Sequence, residues 1–481
     1  MNLRTVLQLM LTALLIFGMT GCDPEPDIST AIVDVNLVPM TSERVIDHQT
    51  VLVAGSRIVA IGKSDSMKIP RGAQVIDGNG AYLMPGLADM HMHTRLDWED
   101  HEKWSVHPLS LYLANGVTTI RDFAPTGTPL TYALQWRDEI LAGTREGPTI
   151  YTSGKLLYAS PLDDPSGIVR GNYENGFDFL KLYSYISPEE FQAAMRAAKE
   201  LGMYTSGHIP FAVGFDGVLV ERMDEIAHVE ELFFEFIEFD KDSDLTHAEW
   251  LPYIAESALH QLDLSSGTLL KDFEVENIKT RDRISNKLQA ADISVCTTMV
   301  IDDVIMLKLF QPEVFLDLPE SAYFEQGYIE SFHRNEEKHQ VQCRGIEGLC
   351  VFKAHIDRWI LSGLHNAGVI LLLGTDAGTG GMGIVPGFSI HDELQILVEN
   401  GFTPYEAIAT GTINAASVVE RMTGEGNFGS IEVGNRADLI LVKDNPLEDI
   451  ITIEAPLGVM AAGKWYSSDT LSEMIQIVSS G

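Results

Sequence analysis

Basic residues are scarce in this 481-residue chain: 33 lysines and arginines stand against 69 aspartates and glutamates, a net charge of −36. That deficit excludes a nucleic-acid surface, which would need basic patches, and it favours solubility. Cysteine is scarce as well, with four in all. The pair in "CRGIEGLC" (343–350) has no second pair beside it, so it does not form a zinc knuckle. It either closes a small loop in an oxidising compartment or is two free, buried thiols. Internal repeats and low-complexity blocks are absent. What remains is globular: 45% hydrophobic and 21% charged residues, in a length that suits one large domain or two of ordinary size.

The N-terminal segment "MNLRTVLQLMLTALLIFGMTGC" stands apart. Its apolar run from Val6 to about Met19 is marginal for a membrane span and typical of a signal-peptide core. It ends in Met19-Thr20-Gly21-Cys22, which resembles a bacterial lipobox, where the cysteine takes the lipid and becomes the new N-terminus. An uncleaved N-terminal anchor is the alternative. Either reading expects a domain outside the cytoplasm, and the lipobox reading a bacterial membrane-anchored lipoprotein facing the periplasm or cell surface. Its membrane contact would then run only through the lipid on Cys22. Residues 1–22 are the expected signal, and 23–27 a short tether.

Two strand-rich arms flank the rest. "TAIVDVNLV" and "TVLVAGSRIVAIG" lie in 28–82, and "GSIEVGNRADLILVKDN" and "PLGVMAAGKWY" in 426–481. Alternating apolar residues with Gly/Asn punctuation predict half-buried strands, and the two arms are expected to pair into one small β-sandwich. Between them, over 83–425, apolar strand-like runs alternate with amphipathic helix-like ones. The helix of "SPEEFQAAMRAAKELG" has Ser187 as its N-cap and ends at Gly202. Eight strand candidates are "GLADMHMH", "VTTIRDFA", "PTIYTSG", "DFLKLYS", "MYTSGHI", "EIAHVE", "ISVCTTM" and "VILLLGTDAG". Strands alternating with helices predict an α/β fold, a (β/α)8 TIM barrel. Extra length between His228 and Ile293, and around 302–350, reads as helical insertions over the barrel mouth.

Chemistry collects at the ends of these strands. His91 and His93 are two residues apart, so in a strand they face the same way, about 6 to 7 Å apart. Two imidazoles so placed suit a divalent metal. Taken alone, they could equally be packed or exposed histidines. His208, His228 and Asp376 end the fifth, sixth and eighth candidates, at the edge where barrel active sites lie. Lys181 sits inside an apolar strand, where a lysine is costly unless paired or neutralised. It either forms a salt bridge with a neighbouring carboxylate or reacts with carbon dioxide to give an anionic carbamate able to bridge two metals.

"PGLADMHMH", "LKLYS", "GHIP", "IAHVEE" and "GTDAG" resemble the metal-binding strand ends of the amidohydrolase superfamily. The flanking arms are similar to that family's divided β-sandwich, and "GFTPYEAIATGTINAA" to its final helices. The likeness is closest to a binuclear branch, imidazolonepropionase-like and prolidase-like, with a lysine on strand four. It implies two divalent ions, zinc by default for imidazole and carboxylate ligands. His91, His93 and Asp376 would hold one ion and His208 and His228 the other, with carbamylated Lys181 and a hydroxide between them. Asp376 would shuttle the proton during hydrolysis of an amide, in a dipeptide or N-acyl amino acid, possible types being Xaa-Pro and Xaa-Arg dipeptides. Tyr183, on the same strand face as Lys181, either meets the substrate or is a packed tyrosine.

The deaminases of the superfamily carry a glutamate shortly after the strand-five histidine. Here Ile209, Pro210 and Phe211 follow His208, which argues against a nucleobase deaminase. Lys181 argues against a mononuclear imidazolonepropionase-like ring hydrolase. Lactonase or phosphoesterase activity, and a non-catalytic metal- or solute-binding lipoprotein, are the other readings. The sequence leaves the substrate, the metal and the oligomeric state open.

Overall fold

The computed structural model describes residues 27–99, 106–378 and 382–476. The expected signal segment with its lipidation candidate Cys22 lies outside the described residues. No helix among the described residues is long and apolar enough to cross a membrane.

The first arm contributes β1 (Thr30–Leu37), β2 (Ile46–Ala54), β3 (Arg57–Lys63), β4 (Gln74–Asp77) and β5 (Tyr82–Pro85). The middle of the chain supplies β6 (Leu87–Met92), β7 (Val117–Asp122), β8 (Thr149–Thr152), β9 (Leu157–Ala159), β10 (Phe179–Tyr185), β11 (Tyr204–Gly207), β12 (Glu225–Ile226), β13 (Ser294–Cys296) and β14 (Leu371–Leu372). The second arm ends the chain with β15 (Leu439–Val442), β16 (Gly458–Ala461) and β17 (Lys464–Ser467).

The two arms do pair. Their hydrogen bonds join them in one continuous eight-stranded sheet, ordered β17-β16-β15-β5-β1-β2-β3 with β4 on β1. The join is the antiparallel pair of β5 and β15, with Met84 opposite Ile440. Alternation along these strands turns Ile32, Val53, Leu83, Leu439 and Met460 onto one shared apolar cluster. Gly86 alone separates β5 from β6, so this sheet leads directly into the first of the central strands.

All eight central strand candidates are strands, running parallel and alternating with helices in a TIM-barrel-like α/β arrangement. Their ladders form a six-stranded sheet, β14-β13-β12-β11-β10-β9, and a three-stranded one, β6-β7-β8. Single bridges, Met92 with Ala377 and Ser153 with Phe179, link the two sheets where the ladders run out. The third strand breaks after Thr152 and resumes as β9, again along β10, with Leu157 opposite Leu182. The helix Pro188–Leu201 follows its sequence closely, with Ser187 and Glu190 in a reciprocal capping box and Gly202 left-handed at φ 66°. The expected insertions are helical, including His247–Gln261, Leu269–Ala291 and Val300–Phe310. Cys296, Cys343 and Cys350 are free thiols, so the loop expected from "CRGIEGLC" is not closed by a disulfide.

Below the strand ends the interior holds a buried ion pair. Arg121 on β7 and Glu225 on β12 are both fully buried, and the guanidinium Nη1 donates to Glu225 Oε2 at 2.8 Å. Arg121 Nε also donates to the Met90 carbonyl at 2.8 Å, and the Tyr204 and Ser206 hydroxyls donate to the carboxylate. Every polar atom is met, so removing one partner strands a buried charge. Glu225→Gln or Arg121→Met is expected to cost about 3–5 kcal/mol in chemical denaturation. Replacing both together, Arg121→Met with Glu225→Leu, is expected to recover much of that loss. Small and equal losses in all three variants would refute a structural role for the pair.

Candidate metal centre

His91 lies in β6 and His93 one residue past its end, and their ring centroids are 5.5 Å apart. His91 stacks on Phe123 at 3.8 Å, and its Nδ1 meets the Ala227 carbonyl at 3.1 Å. The His93 Nδ1 faces the Ala124 carbonyl at 3.3 Å. A nitrogen facing a carbonyl oxygen must carry the hydrogen, which leaves Nε2 of each ring as an electron-pair donor. Both Nε2 atoms converge on Asp376, whose Oδ1 is 3.0 Å from that of His93 and 3.5 Å from that of His91. The three donor atoms lie within 4.8 Å of one another.

Asp376 arrives by a strained route. Its backbone is left-handed at φ 60°, an uncommon conformation for a residue with a side chain. Its amide donates to the His91 carbonyl at 2.7 Å, and Ala377 accepts from the amide of His93 at 2.8 Å. Asp89, fully buried on β6, holds the preceding turn: it accepts from the Thr375 hydroxyl at 2.6 Å and from the His91 amide at 3.2 Å. Two residues before Asp376, a Cβ on Gly374 would collide with Cys296 and His91.

The other two histidines stand beside this group. Gly207 (φ 155°) precedes His208, and a Cβ there would run into the backbone of Leu182, so only glycine delivers His208 at this height. The His208 Nδ1 is 2.6 Å from Glu231 Oε1, and the second oxygen of that carboxylate accepts from the Ile209 amide at 3.0 Å. The His228 Nδ1 pairs with the Thr298 hydroxyl at 2.9 Å. Ring centroids are 4.9 Å apart for His208 and His228, and 4.3 Å for His91 and His228. Burial drives His91 and His208 well below the ordinary histidine range, and burial with the neighbouring His208 takes His228 down to about 3. All three are therefore neutral, the form in which imidazole binds a metal.

Lys181 is central to β10 and buried. Its ammonium lies 4.6 Å from the centre of the Phe123 ring and makes no ion pair with a described residue, so the simple salt bridge is not its partner. Burial lowers its pKa to about 8, against the pull of Asp376, Glu231 and Glu225. An appreciable fraction of free amine therefore exists near neutral pH. Asp376 is held ionised, its pKa lowered to about 2: burial opposes the charge, but the close His93 ring and the Lys181 ammonium outweigh it. Tyr183 packs its ring 4.1 Å from that of His208 and is half-buried, next to the site rather than inside the protein core.

The residues expected from sequence are thus adjacent, with His91, His93 and Asp376 forming the tight group and His208 and His228 a neighbouring pair. Sequence reading missed Asp89, Glu231 and Thr298, which aim these ligands. A signal for Glu231 existed in the second glutamate of "IAHVEE". Nothing local marked Thr298, which lies 70 residues from the histidine it holds.

A buried site with this donor set has recognisable relatives. Residues 348–466 match the model of the amidohydrolase family. The ochratoxinase of Aspergillus niger is 25% identical over 405 residues, covering 78% of this chain and 73% of that protein. Among solved structures, a Xaa-Pro dipeptidase with bound methionine superposes with a TM-score of 0.63 at 20% identity, over 91% of this chain and 99% of the other. The A. niger ochratoxinase structure gives a TM-score of 0.59 at 18% identity, over 92% and 96%. Strand order and site placement agree with these likenesses: the chain is similar to members of the amidohydrolase family, whose model its residues 348–466 match.

Proposed function

We propose that this protein is a metal-dependent hydrolase of amide bonds in small molecules, dipeptides or N-acyl amino acids. One observation carries the reading: the electron pairs of His91 and His93 and the Asp376 carboxylate face one another within 4.8 Å in a buried pocket. Three acceptors so close repel one another unless a cation lies between them. The Nε2 of His91 is buried with no hydrogen-bond partner, as a metal ligand awaiting its ion would be.

His91, His93 and Asp376 would hold one divalent ion. His208 and His228 would hold a second, and Lys181 would supply the bridging group as a carbamate. That step balances simply: the free amine attacks carbon dioxide, an N–C bond forms, and one proton leaves. Imidazole and carboxylate donors favour zinc. The ions, when bound, acidify a water and polarise the carbonyl under attack.

The chain's own residues have separable tasks. Asp376, ionised at about 2, is placed to take a proton and deliver it to the departing amine. Glu231 fixes the tautomer and tilt of His208, and Thr298 orients His228. Tyr183, beside His208, presents its hydroxyl to the substrate. The names of the relatives, a Xaa-Pro dipeptidase and an ochratoxinase, support amide substrates in general. Residues 83–425 are read as one eight-stranded barrel, and 28–82 with 426–481 as the accompanying β-sandwich. The segment ending at Cys22 makes the protein an exported lipoprotein, anchored through its lipid.

Asp376→Asn is expected to lower kcat on an amide substrate about 10²–10⁴-fold with the fold intact by circular dichroism. Metal-replete wild type that hydrolyses no dipeptide, N-acyl amino acid, lactone or phosphoester would sink the hydrolase reading. Lys181→Ala is expected to lose the second metal equivalent by elemental analysis, and retention of both ions would remove its bridging role. Glu231→Gln is expected to weaken metal affinity about 10- to 100-fold in a chelator competition. Unchanged affinity would show that the carboxylate does not tune His208.

A further inference from the structure

Outward from the candidate centre, one face of β10 changes character. Lys181, Tyr183 and Tyr185 alternate with the buried Leu182 and Ser184, so they share a face, with Tyr185 about 13 Å along the strand from Lys181. The Tyr183 and Tyr185 rings are 5.6 Å apart. Tyr158, on β9, stands 4.9 Å from Tyr183 and 5.5 Å from Tyr185. His247, the first residue of the insertion helix His247–Gln261, is 5.7 Å from Tyr158 and 6.1 Å from Tyr185. Strand, broken third strand and insertion thus converge four rings next to His208.

This is not a core cluster. Tyr158 is 43% exposed and His247 is exposed, while Tyr183 and Tyr185 are half-buried. None of the three phenol hydroxyls bonds to another described residue, although buried tyrosines ordinarily find a partner. Glu231, the acid whose charge acts on Tyr185, has both oxygens engaged, by His208 and by the Ile209 amide. The surroundings are therefore flat and π-rich.

Given the hydrolase reading above, on which this rests, we infer that Tyr158, Tyr185 and His247 form a specificity pocket for a planar aromatic group carried by the substrate beside the scissile amide. A phenylalanyl ring centre lies at most about 5 Å from its own amide. The Tyr183 and Tyr185 rings, 5.6 Å apart, span a similar distance outward from His208. Offset and edge-to-face ring pairs form at centroid separations of about 4.5–7 Å, the range already found within this cluster.

The test uses the full metal-loaded protein and glycyl-phenylalanine, phenylalanyl-glycine, and their leucine and lysine counterparts. Wild type is expected to favour the phenylalanine member of one pair over leucine by about tenfold or more in kcat/KM. Tyr158→Leu and Tyr185→Leu are expected to bring that ratio close to unity, and Tyr158→Phe to retain it. A ratio that stays constant while both rates fall would make the tyrosines merely structural and overturn the proposal. Preference for lysine over phenylalanine would overturn it too. If wild type hydrolyses none of the peptides, calorimetric titration with phenylalanine amide and leucine amide reads the pocket by itself, whatever the broader substrate panel says of the hydrolase reading. Tighter binding of phenylalanine amide, lost in Tyr158→Leu, would then uphold the pocket, and equal binding would overturn it.

Discussion

The structure is organised around a repulsion. At one end of the central strands, His91, His93 and Asp376 bring electron pairs together in a largely buried setting. Such an arrangement is costly in isolation, and the surrounding framework holds it in place. Carbonyls of Ala227 and Ala124 take the outer hydrogens of His91 and His93, and Glu231 engages the outer nitrogen of His208. His91 and His208, kept neutral by burial, then face inward with their basic nitrogens. The left-handed backbone at Asp376 belongs to the same bargain: the chain accepts an awkward conformation to place a carboxylate at the meeting point.

Two kinds of buried charge result, and they differ in consequence. The Arg121–Glu225 pair is complete, with partners for both groups, and ties β7 to β12 and β6 beneath the site. Lys181, on the next layer, has no such partner among the described residues. Burial weakens its hold on a proton, lowering its pKa to about 8. The framework thus treats these two buried cations differently: Arg121 is fully paired, and Lys181 is left without an ion-pair partner among the described residues.

Much of this was legible in the sequence because the signals were local. The i, i+2 spacing of His91 and His93, the apolar strand around Lys181, and Ser187 with Gly202 at either end of a helix all depend on near neighbours. What the sequence hid depends on distant ones. Glu231 and Thr298 serve histidines 23 and 70 residues away. The break between β8 and β9 leaves a strand-like run on each side, and its pairing with β10 is set only in three dimensions. Likewise, alternation revealed strands in both arms, but whether they stack as layers or join edge to edge depends on which edges meet. The tyrosine cluster combines both cases: Tyr183 and Tyr185 share a strand, whereas Tyr158 and His247 reach it from elsewhere.

The junction at Gly86 gives the small sheet a task. β5 is locked antiparallel to β15, Met84 opposite Ile440, and one residue later the chain becomes the strand that carries His91 and His93. Side chains alternate with a period of two, so a one-residue slip passed along this strand would exchange its inner and outer faces. The imidazoles would then point into the helical shell. The arms from the two ends of the chain lie outside the histidine group, yet together they act as the index pin that sets which way the strand carrying His91 and His93 faces.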